Sequence, residues 1–481
     1  MALLPKTPGV YIEEIPRFPP SIAPVETAIP AFIGYTQKAD DVTAGDLILK
    51  AKRIFSLVEY EKNFGLPQSE TNIKVAVQRT TSGASVNIDN VTATVAESAR
   101  SKHLMYYALQ MFFANGGGPC YIVSVGPYKA NLGDPLVETE LAAALDVLAK
   151  QDEPTLIVFP EAQTLSIGDF KTLHDAALAQ CELLKDRFVI MDVHGGPISL
   201  SDPDADLVTA VDNFRSNGIG TNNLKDGAAY APNIETVLDF AFDETQTDVT
   251  ITTDGVAAGA VKLDTLKSGA GANNRVYELS KAAIRDIACK MPPSSSMAGI
   301  FAAVDNTRGV WKAPANVSVS SVTAPAIQFS NVQQDSMNVD VTAGKSVNAI
   351  RAFTGKGTLV WGARTLAGND NEWRYINVRR LFIFVEESCK KATEQFVFEP
   401  NDANTWVRVQ GMIENFLTVL WRQGALQGIK PEHAFYVAVG LGKTMTAIDI
   451  LEGRMIVEIG MAVVRPAEFI ILRFIQKLPE S

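Results

Sequence analysis

Four short stretches of the chain carry residue types that could do chemistry. Gly440-Leu441-Gly442-Lys443-Thr444 resembles the end of a phosphate-binding loop, and Gly355-Lys356-Gly357 the start of a dinucleotide-binding turn. The aspartates within 202–206 have the opening spacing of a calcium loop. His194-Gly195-Gly196 follows an apolar run and could belong to a catalytic loop. The chemistries to test are therefore nucleotide binding, calcium binding and hydrolysis.

Each of these stretches lacks a residue that its chemistry needs. The phosphate loop has Val437 where its first glycine should stand, and the dinucleotide turn has Val360 in place of its third. The calcium loop has Leu207 at the glycine position and Asn213 at the position of the bidentate glutamate. No nucleophile elbow or pair of carboxylates accompanies His194. The sequence predicts no catalytic, cofactor or metal site, and a hydrolase centred on His194 remains the alternative hypothesis.

Composition and charge narrow the class of protein. The 481 residues are 47% apolar and 20% charged, as in a folded globular chain, which argues against a disordered or fibrous protein. With 43 basic and 54 acidic residues the net charge is −11, which argues against a direct nucleic-acid binder. The N-terminus has no signal-peptide pattern, and no run approaches the ~18 apolar residues of a membrane span. We expect synthesis in the cytoplasm and no membrane insertion.

The cysteines point to a reduced protein. Cys120, Cys181, Cys289 and Cys389 lie far apart and form no CxxC pair. A long chain with so few cysteines is unlike a disulfide scaffold. We expect four buried thiols.

The first part of the chain has an α/β pattern. Short apolar strands alternate with helices, which predicts a parallel sheet covered by helices. The predicted strands are 29–35, 120–125, 155–159 and 188–193, and the predicted helices are 101–114, 138–150 and 168–183. Period-two alternation around turn residues predicts hairpins over 71–99 and 249–256.

The C-terminal third has a different pattern. Apolar residues at spacings of three and four predict two amphipathic helices, over 378–396 and 406–420. Asn401 or Asp402 is positioned to cap the second helix. Strands are predicted at 434–439, 455–464 and 468–477.

Both ends of the chain predict extended, adhesive arms. Residues 1–30 contain seven of the 24 prolines and so cannot form a helix. The last strand is apolar on both faces, so it must be sandwiched in its own sheet or in that of a neighbour. The residues that we expect to make these inter-subunit contacts are Val10, Tyr11, Ile12, Ile15 and Phe18 in the N-terminal arm, and Phe469, Ile470, Ile471, Leu472, Phe474 and Ile475 in the C-terminal arm.

Long ordered blocks of the sequence resemble one family. The blocks are Pro8–Tyr11 (PGVY), Phe113–Gly117 (FANGG), Arg308–Asn316 (RGVWKAPAN), Val360–Leu366 (VWGARTL), Glu372–Leu381 (EWRYINVRRL), Phe398–Asp402 (FEPND), Leu420–Arg422 (LWR) and Pro466–Phe469 (PAEF). With these blocks the chain resembles the sheath proteins of contractile phage tails, R-type pyocins and extracellular contractile injection systems.

The resemblance implies an α/β fold, α+β overall, with a subtilisin-like α/β sheath core. This likeness of fold does not imply protease activity. The implied parts are an N-terminal arm and first core strand (1–36), an outer β-rich insertion (37–100), the sheath core (101–370) with a variable insertion at about 201–275, a C-terminal domain of two helices and a β-sheet (371–465), and a C-terminal strand arm (466–481).

The resemblance also implies a structural function and not an enzymatic one. Subunits would stack as hexameric rings around an inner tube and contract to drive the tube through a target envelope. The implied partners are further copies of the chain, the inner tube protein, and the baseplate and tail-terminator or cap proteins. The particle would be assembled in the bacterial cytoplasm, as a phage tail or as a released or cell-bound injection particle.

Two pairs of basic residues are candidates for the surface that faces the tube. They are Arg379, Arg380, Lys390 and Lys391. Exposed charge pairs contribute only ~0–1 kcal/mol each to the free energy of a contact, which suits a sheath that must bind the tube weakly and then release it. The alternative is that these are ordinary solvated or subunit-contact charges.

Overall fold

A computed structural model describes residues 22–195, 207–268, 271–340 and 342–473. The described chain divides into two compact units. We term residues 26–384 with 465–473 the α/β unit, and residues 22–25 with 385–464 the C-terminal unit. In the described ranges, no helix is both long and apolar enough to cross a membrane.

Within the described residues, the α/β unit contains three β-sheets and most of the helices. Its strands are β1 (Pro30–Thr36), β2 (Ala51–Ile54), β3 (Lys74–Ser82), β4 (Ser85–Thr94), β5 (Cys120–Pro127), β6 (Leu156–Val158), β7 (Phe188–Asp192), β8 (Gly227–Ala231), β9 (Ile234–Thr236), β10 (Asp248–Thr253), β11 (Val256–Ala257), β12 (Val261–Lys262), β13 (Cys289–Met291), β14 (Val317–Ser318), β15 (Val322–Pro325), β16 (Val347–Phe353) and β17 (Gly357–Trp361). Its helices are α1 (Leu57–Phe64), α2 (Met105–Ala114), α3 (Glu138–Leu148), α4 (Ile167–Leu184), α5 (Leu207–Asn213), α6 (Asn274–Arg285), α7 (Ser294–Arg308) and α8 (Asn331–Asn338).

The main sheet confirms the predicted α/β class. In the described residues its order is β14-β17-β16-β8-β7-β6-β1-β5-β2. The six strands from β16 to β5 run parallel, and antiparallel strands complete both edges. Two clusters of buried apolar residues cover its two faces, which is why its central strands read as continuous apolar runs.

The predicted helices and strands of this unit are largely present, with one helix shorter than expected. The helix predicted over 101–114 begins at Met105. The backbone N–H groups of Ser101 and Leu104 donate to the carboxylates of Glu70 and Glu161. These bonds hold the preceding residues outside the helix.

The two predicted hairpins are confirmed, and they are joined into one sheet. The turn after β3 lies at Gly83-Ala84, one residue on from the predicted Ser82-Gly83. β10 pairs in parallel with β3, and β11 and β12 both pair with β10. The outer insertion predicted over 37–100 differs in extent, because β2 pairs with β5 at the edge of the main sheet.

The C-terminal unit contains two long helices and a two-stranded sheet. The helix α9 (Ile376–Thr393) begins in the α/β unit and ends here. It is followed by α10 (Ala403–Arg422), α11 (Pro431–Ala434), α12 (Ala447–Leu451), β18 (Phe435–Val439) and β19 (Val457–Met461). The Asp402 carboxylate caps α10 by accepting the N–H of Thr405 at 3.0 Å.

The described part of the last predicted strand, residues 468–473, is not in a β-strand. Residues 468–473 pair with no strand of the described chain. Phe474 and Ile475, at the end of that prediction, lie outside the described residues, as do Val10, Tyr11, Ile12, Ile15 and Phe18 of the N-terminal arm.

All four cysteines are buried and unlinked, as predicted. Burial raises the pKa of the Cys289 and Cys389 thiols to about 12. They are therefore neutral thiols that fill apolar space.

Candidate assembly surfaces

The root of the C-terminal arm is attached to the α/β unit through Glu468. The Arg364 guanidinium donates from Nη2 to Oε2 at 2.7 Å and from Nε to Oε1 at 3.0 Å. The Asn338 amide donates to Oε1 at 2.7 Å, and the Tyr375 hydroxyl donates to Oε2 at 3.1 Å. Glu468 thus accepts hydrogen bonds from three side chains, one on α8 and two on the segment between β17 and α9.

The electrostatics of this contact keep Glu468 ionised. Burial alone would raise the pKa of its carboxyl, but the hydrogen bonds from Arg364 and Asn338 and the guanidinium charge lower it below its usual value. The same burial and the nearby carboxylate raise the pKa of the Tyr375 hydroxyl. The contact is therefore a charged anchor at neutral pH.

The arm leaves the surface directly after this anchor. Phe469, Ile470, Ile471 and Leu472 are four consecutive apolar side chains, each 70–78% exposed. Exposed apolar clusters of this kind mark interaction sites. Successive side chains of an extended segment point to opposite sides, so both faces of this arm are apolar.

The root of the N-terminal arm is attached to the same unit through Thr27. Its hydroxyl donates to Oδ2 of Asp305 at 2.6 Å, and its carbonyl accepts from Nη2 of Arg380 at 2.9 Å. Arg380 and Asp305 form a two-pronged ion pair at 2.6 and 3.0 Å, and each side chain is 3% exposed. Two residues later, Ile29 enters the main sheet through bonds with Thr155.

The C-terminal unit contains a sheet with two open edges. Within the described chain β18 pairs only with β19, in antiparallel register from Phe435↔Met461 to Val439↔Val457. Each strand therefore presents one row of unpaired backbone groups, which is a template for pairing with another strand. Exposed apolar residues lie on or near this sheet, namely Tyr436, Leu441, Ile448, Leu451 and Ile456.

The four basic candidates fall into two classes. Arg379 and Arg380 are 2% and 3% exposed and form ion pairs of 2.7 and 2.6 Å with Asp226 and Asp305. Because these charges are neutralised inside the chain, the prediction that the two arginines face a tube is corrected. Lys390 and Lys391, in the last turn of α9, have side chains 56% and 37% exposed and lie 3.0 and 3.6 Å from Glu387.

Three of the stretches that resembled chemical motifs have structural roles, and the aspartates within 202–206 lie outside the described residues. Gly440–Thr444 closes a tight turn after β18, with the Met445 N–H bonded to the Gly440 carbonyl. Gly355–Gly357 forms the turn between β16 and β17. The ring Nε2 of His194 lies 2.9 Å from the carbonyl of Leu165. Its role is structural, and the hydrolase hypothesis gains no support.

The sequence did not predict the contacts that hold the roots of the two arms, at Glu468 and at Thr27. Arg364 and Glu468 lay within the family-like blocks, but their partnership spans 104 residues. The available signal was that Glu468 is the one charged residue within 466–472, a run that is otherwise apolar.

Comparison with known proteins finds similarity to tail sheath proteins. The phage tail sheath C-terminal domain family matches residues 368–477. The tail sheath protein of Enterobacteria phage T4 is 26% identical over 135 residues, which are 27% of this chain and 19% of that protein. The chain therefore matches about a fifth of the length of this phage relative.

Two solved structures match over nearly the whole chain. The PVC sheath complex of an extracellular contractile injection system, in the contracted state, is 29% identical with a TM-score of 0.63, covering 99% of each chain. The helical sheath of the anti-feeding prophage, in the contracted state, is 30% identical with a TM-score of 0.61, covering 98% of this chain and 100% of that one.

Proposed function

We propose, from the premise that this chain belongs to the contractile tail sheath family, that it polymerises as stacked hexameric rings around an inner tube and contracts to drive the tube through a target envelope. The observation that carries the proposal is the coexistence of an exposed apolar arm at 469–472 and a two-stranded sheet with open edges at β18–β19.

A chain that has both a strand to donate and a sheet edge to accept a strand can form a polymer. The arm of one subunit would add a strand to the β18–β19 sheet of a neighbour, with main-chain hydrogen bonds for strength and alternate side chains for register. Because the two surfaces differ, the contact is heterologous and extends indefinitely unless a ring closes. The N-terminal arm, with Val10, Tyr11, Ile12, Ile15 and Phe18, is proposed to do the same.

Contraction would be driven by additional contact between subunits. Burying about 40 Å² more apolar surface per subunit is worth about 1 kcal/mol, at roughly 25 cal/mol per Å². Such a gain, summed over a long lattice, would drive the change from a metastable extended state. This role needs no catalytic group, and we propose that the protein is not an enzyme.

The remaining partners follow from the family. The subunits would be made and assembled in the bacterial cytoplasm and would join a baseplate at one end and a terminator or cap protein at the other. Of the four basic candidates, Lys390 and Lys391 are retained as the proposed contact with the inner tube because they are exposed. No direct nucleic-acid contact or membrane insertion is proposed.

The arm mechanism can be tested on the purified full-length chain. In the double variant Ile470→Asp/Leu472→Asp, charges on one face of the arm should abolish tubes in negative-stain electron microscopy, while circular dichroism stays unchanged. The control is Val256→Asp, a residue 74% exposed in β11, which should leave tubes intact. Tubes of normal length and abundance from the double variant would refute the arm mechanism.

A further inference from the structure

Both arms leave the α/β unit at an arginine–carboxylate pair, which is buried at the N-terminal root and half-buried at the C-terminal root. At the C-terminal root the carboxylate belongs to the arm, since Glu468 receives Arg364. At the N-terminal root the pair belongs to the body, and Arg380 and Asp305 together hold the carbonyl and hydroxyl of Thr27. We term these the C-clamp (Arg364–Glu468) and the N-clamp (Arg380–Asp305–Thr27).

The C-clamp sits at a sharp change in the environment of the chain. The Arg364 side chain is 5% exposed and that of Glu468 is 20% exposed. The next four residues are 70–78% exposed. The last fixed point of the arm is therefore a single charged side chain, and the apolar segment begins one residue later.

The N-clamp holds its arm through both side chain and backbone. The two hydrogen bonds to Thr27 come from partners that are bonded to each other, and the Arg380 guanidinium also stacks 4.5 Å from the ring centre of Phe301. Separating Arg380 from Asp305 would leave a charge buried without its partner, which costs free energy. The ion pair therefore stays formed and keeps its hold on Thr27.

We propose that the two clamps fix the points at which the arms leave the α/β unit, and that the C-clamp thereby sets the free length of the C-terminal arm and the spacing between the subunits that it links. This inference rests on the proposed function, because it assumes that the arms link subunits. A tether of fixed length gives a single geometry between neighbours, whereas a longer flexible tether gives a range of geometries and a lower effective concentration of the arm.

The first test uses dilute, unassembled full-length chain and does not depend on polymerisation. Spin labels at Ile471→Cys and at Val58→Cys, an exposed position on α1, report the distance from arm to body by pulsed electron paramagnetic resonance. The native cysteines are buried. Glu468→Gln should widen the distance distribution at least twofold. An unchanged width would overturn the C-clamp.

The matched control is another buried arginine–carboxylate pair in the same unit. Arg187 and Asp186 lie 2.7 Å apart, with side chains 1% and 8% exposed, and Arg187 also donates to the carbonyls of Leu148 and Gln151. Asp186→Asn weakens a comparable pair without touching either clamp. It should leave the distance distribution at the wild-type width.

The second test measures the lattice. Tubes formed by Glu468→Gln or Thr27→Val should show a variable helical rise and at least threefold fewer ordered segments than wild type, while Asp186→Asn tubes keep the wild-type rise. Wild-type order in both clamp variants, or equal disorder in the control, would overturn the proposal. Absence of tubes from the wild-type chain would refute the proposed function instead, and the label distances would still decide whether the C-clamp exists.

Discussion

At the scale of single residues, the structure separates charges that look alike in the sequence. Arg379 and Arg380 stand on a helix of clear amphipathic spacing, yet both are buried because they meet Asp226 and Asp305, which lie 153 and 75 residues away. Helical periodicity shows which apolar residues face the core, but it does not show which charged residues have a distant partner there. Lys390 and Lys391 remain at the surface.

Asp192 provides a prediction about pH. Its carboxyl is buried at the end of β7 and accepts the N–H and hydroxyl of Ser294 at 2.7 and 2.6 Å. Burial raises its pKa from 3.8 to about 7 despite these hydrogen bonds. Between these values the folded chain holds a proton that the unfolded chain has lost, so this group lowers the free energy of unfolding as pH rises through that window.

The variant Asp192→Asn mimics the protonated form. Relative to wild type, its free energy of unfolding should increase by up to about 4 kcal/mol between pH 4 and pH 8, at about 1.4 kcal/mol per pKa unit. Urea denaturation of both proteins across this range measures the difference. A constant difference across the range would contradict the assignment.

At the scale of elements, local sequence patterns are sufficient to predict individual strands and helices. They do not predict which strands pair when these lie far apart in the sequence. The strands β1, β5, β6 and β7 of the main sheet and the helices α3, α4, α9 and α10 are evident from apolar runs and periodicity. The parallel pairing of β3 with β10 was missed because it joins segments more than 160 residues apart. The strand predicted at 468–477 has apolar faces on both sides but no partner in the described chain, which is what an arm reserved for a neighbour requires.

The cap of α10 gives a prediction at this scale. Either Asn401 or Asp402 could have served as cap from the sequence, and the structure assigns the role to Asp402. Asp402→Ala should lower the free energy of unfolding by about 1 kcal/mol, because the N–H of Thr405 loses its acceptor. Urea denaturation measures the loss. Asp402→Asn, which can still accept this bond, should recover most of it, and equal losses in both variants would contradict the capping role.

At the scale of the whole molecule, the two units have different parts in the proposed assembly. The α/β unit holds the roots of both arms, and the C-terminal unit offers the open-edged sheet. The near-average composition and the net charge of −11 fit a subunit that must stay dissolved before it polymerises. In the proposed assembly, the apolar segment that has no partner strand in the described chain pairs with a neighbouring chain.

The proposed tube contact gives a prediction at this scale. Reversing both charges in Lys390→Glu/Lys391→Glu should weaken co-assembly with the inner tube protein, and more strongly at low salt because exposed charge contacts are screened by ions. Co-sedimentation of tube and sheath proteins at two salt concentrations measures this. The double variant Lys390→Gln/Lys391→Gln should have an intermediate effect, and wild-type co-sedimentation of the reversed variant would exclude these lysines.

In the proposed assembly, neighbouring chains complete the β18–β19 sheet. Cryo-electron microscopy of tubes assembled from the full-length chain tests this directly, because a helical reconstruction traces each arm to the subunit it comes from. We expect added strands along the open edges of β18 and β19, one of them containing Phe469–Leu472 from another subunit. Edges left unpaired, or arms folded back onto their own chain, would contradict it.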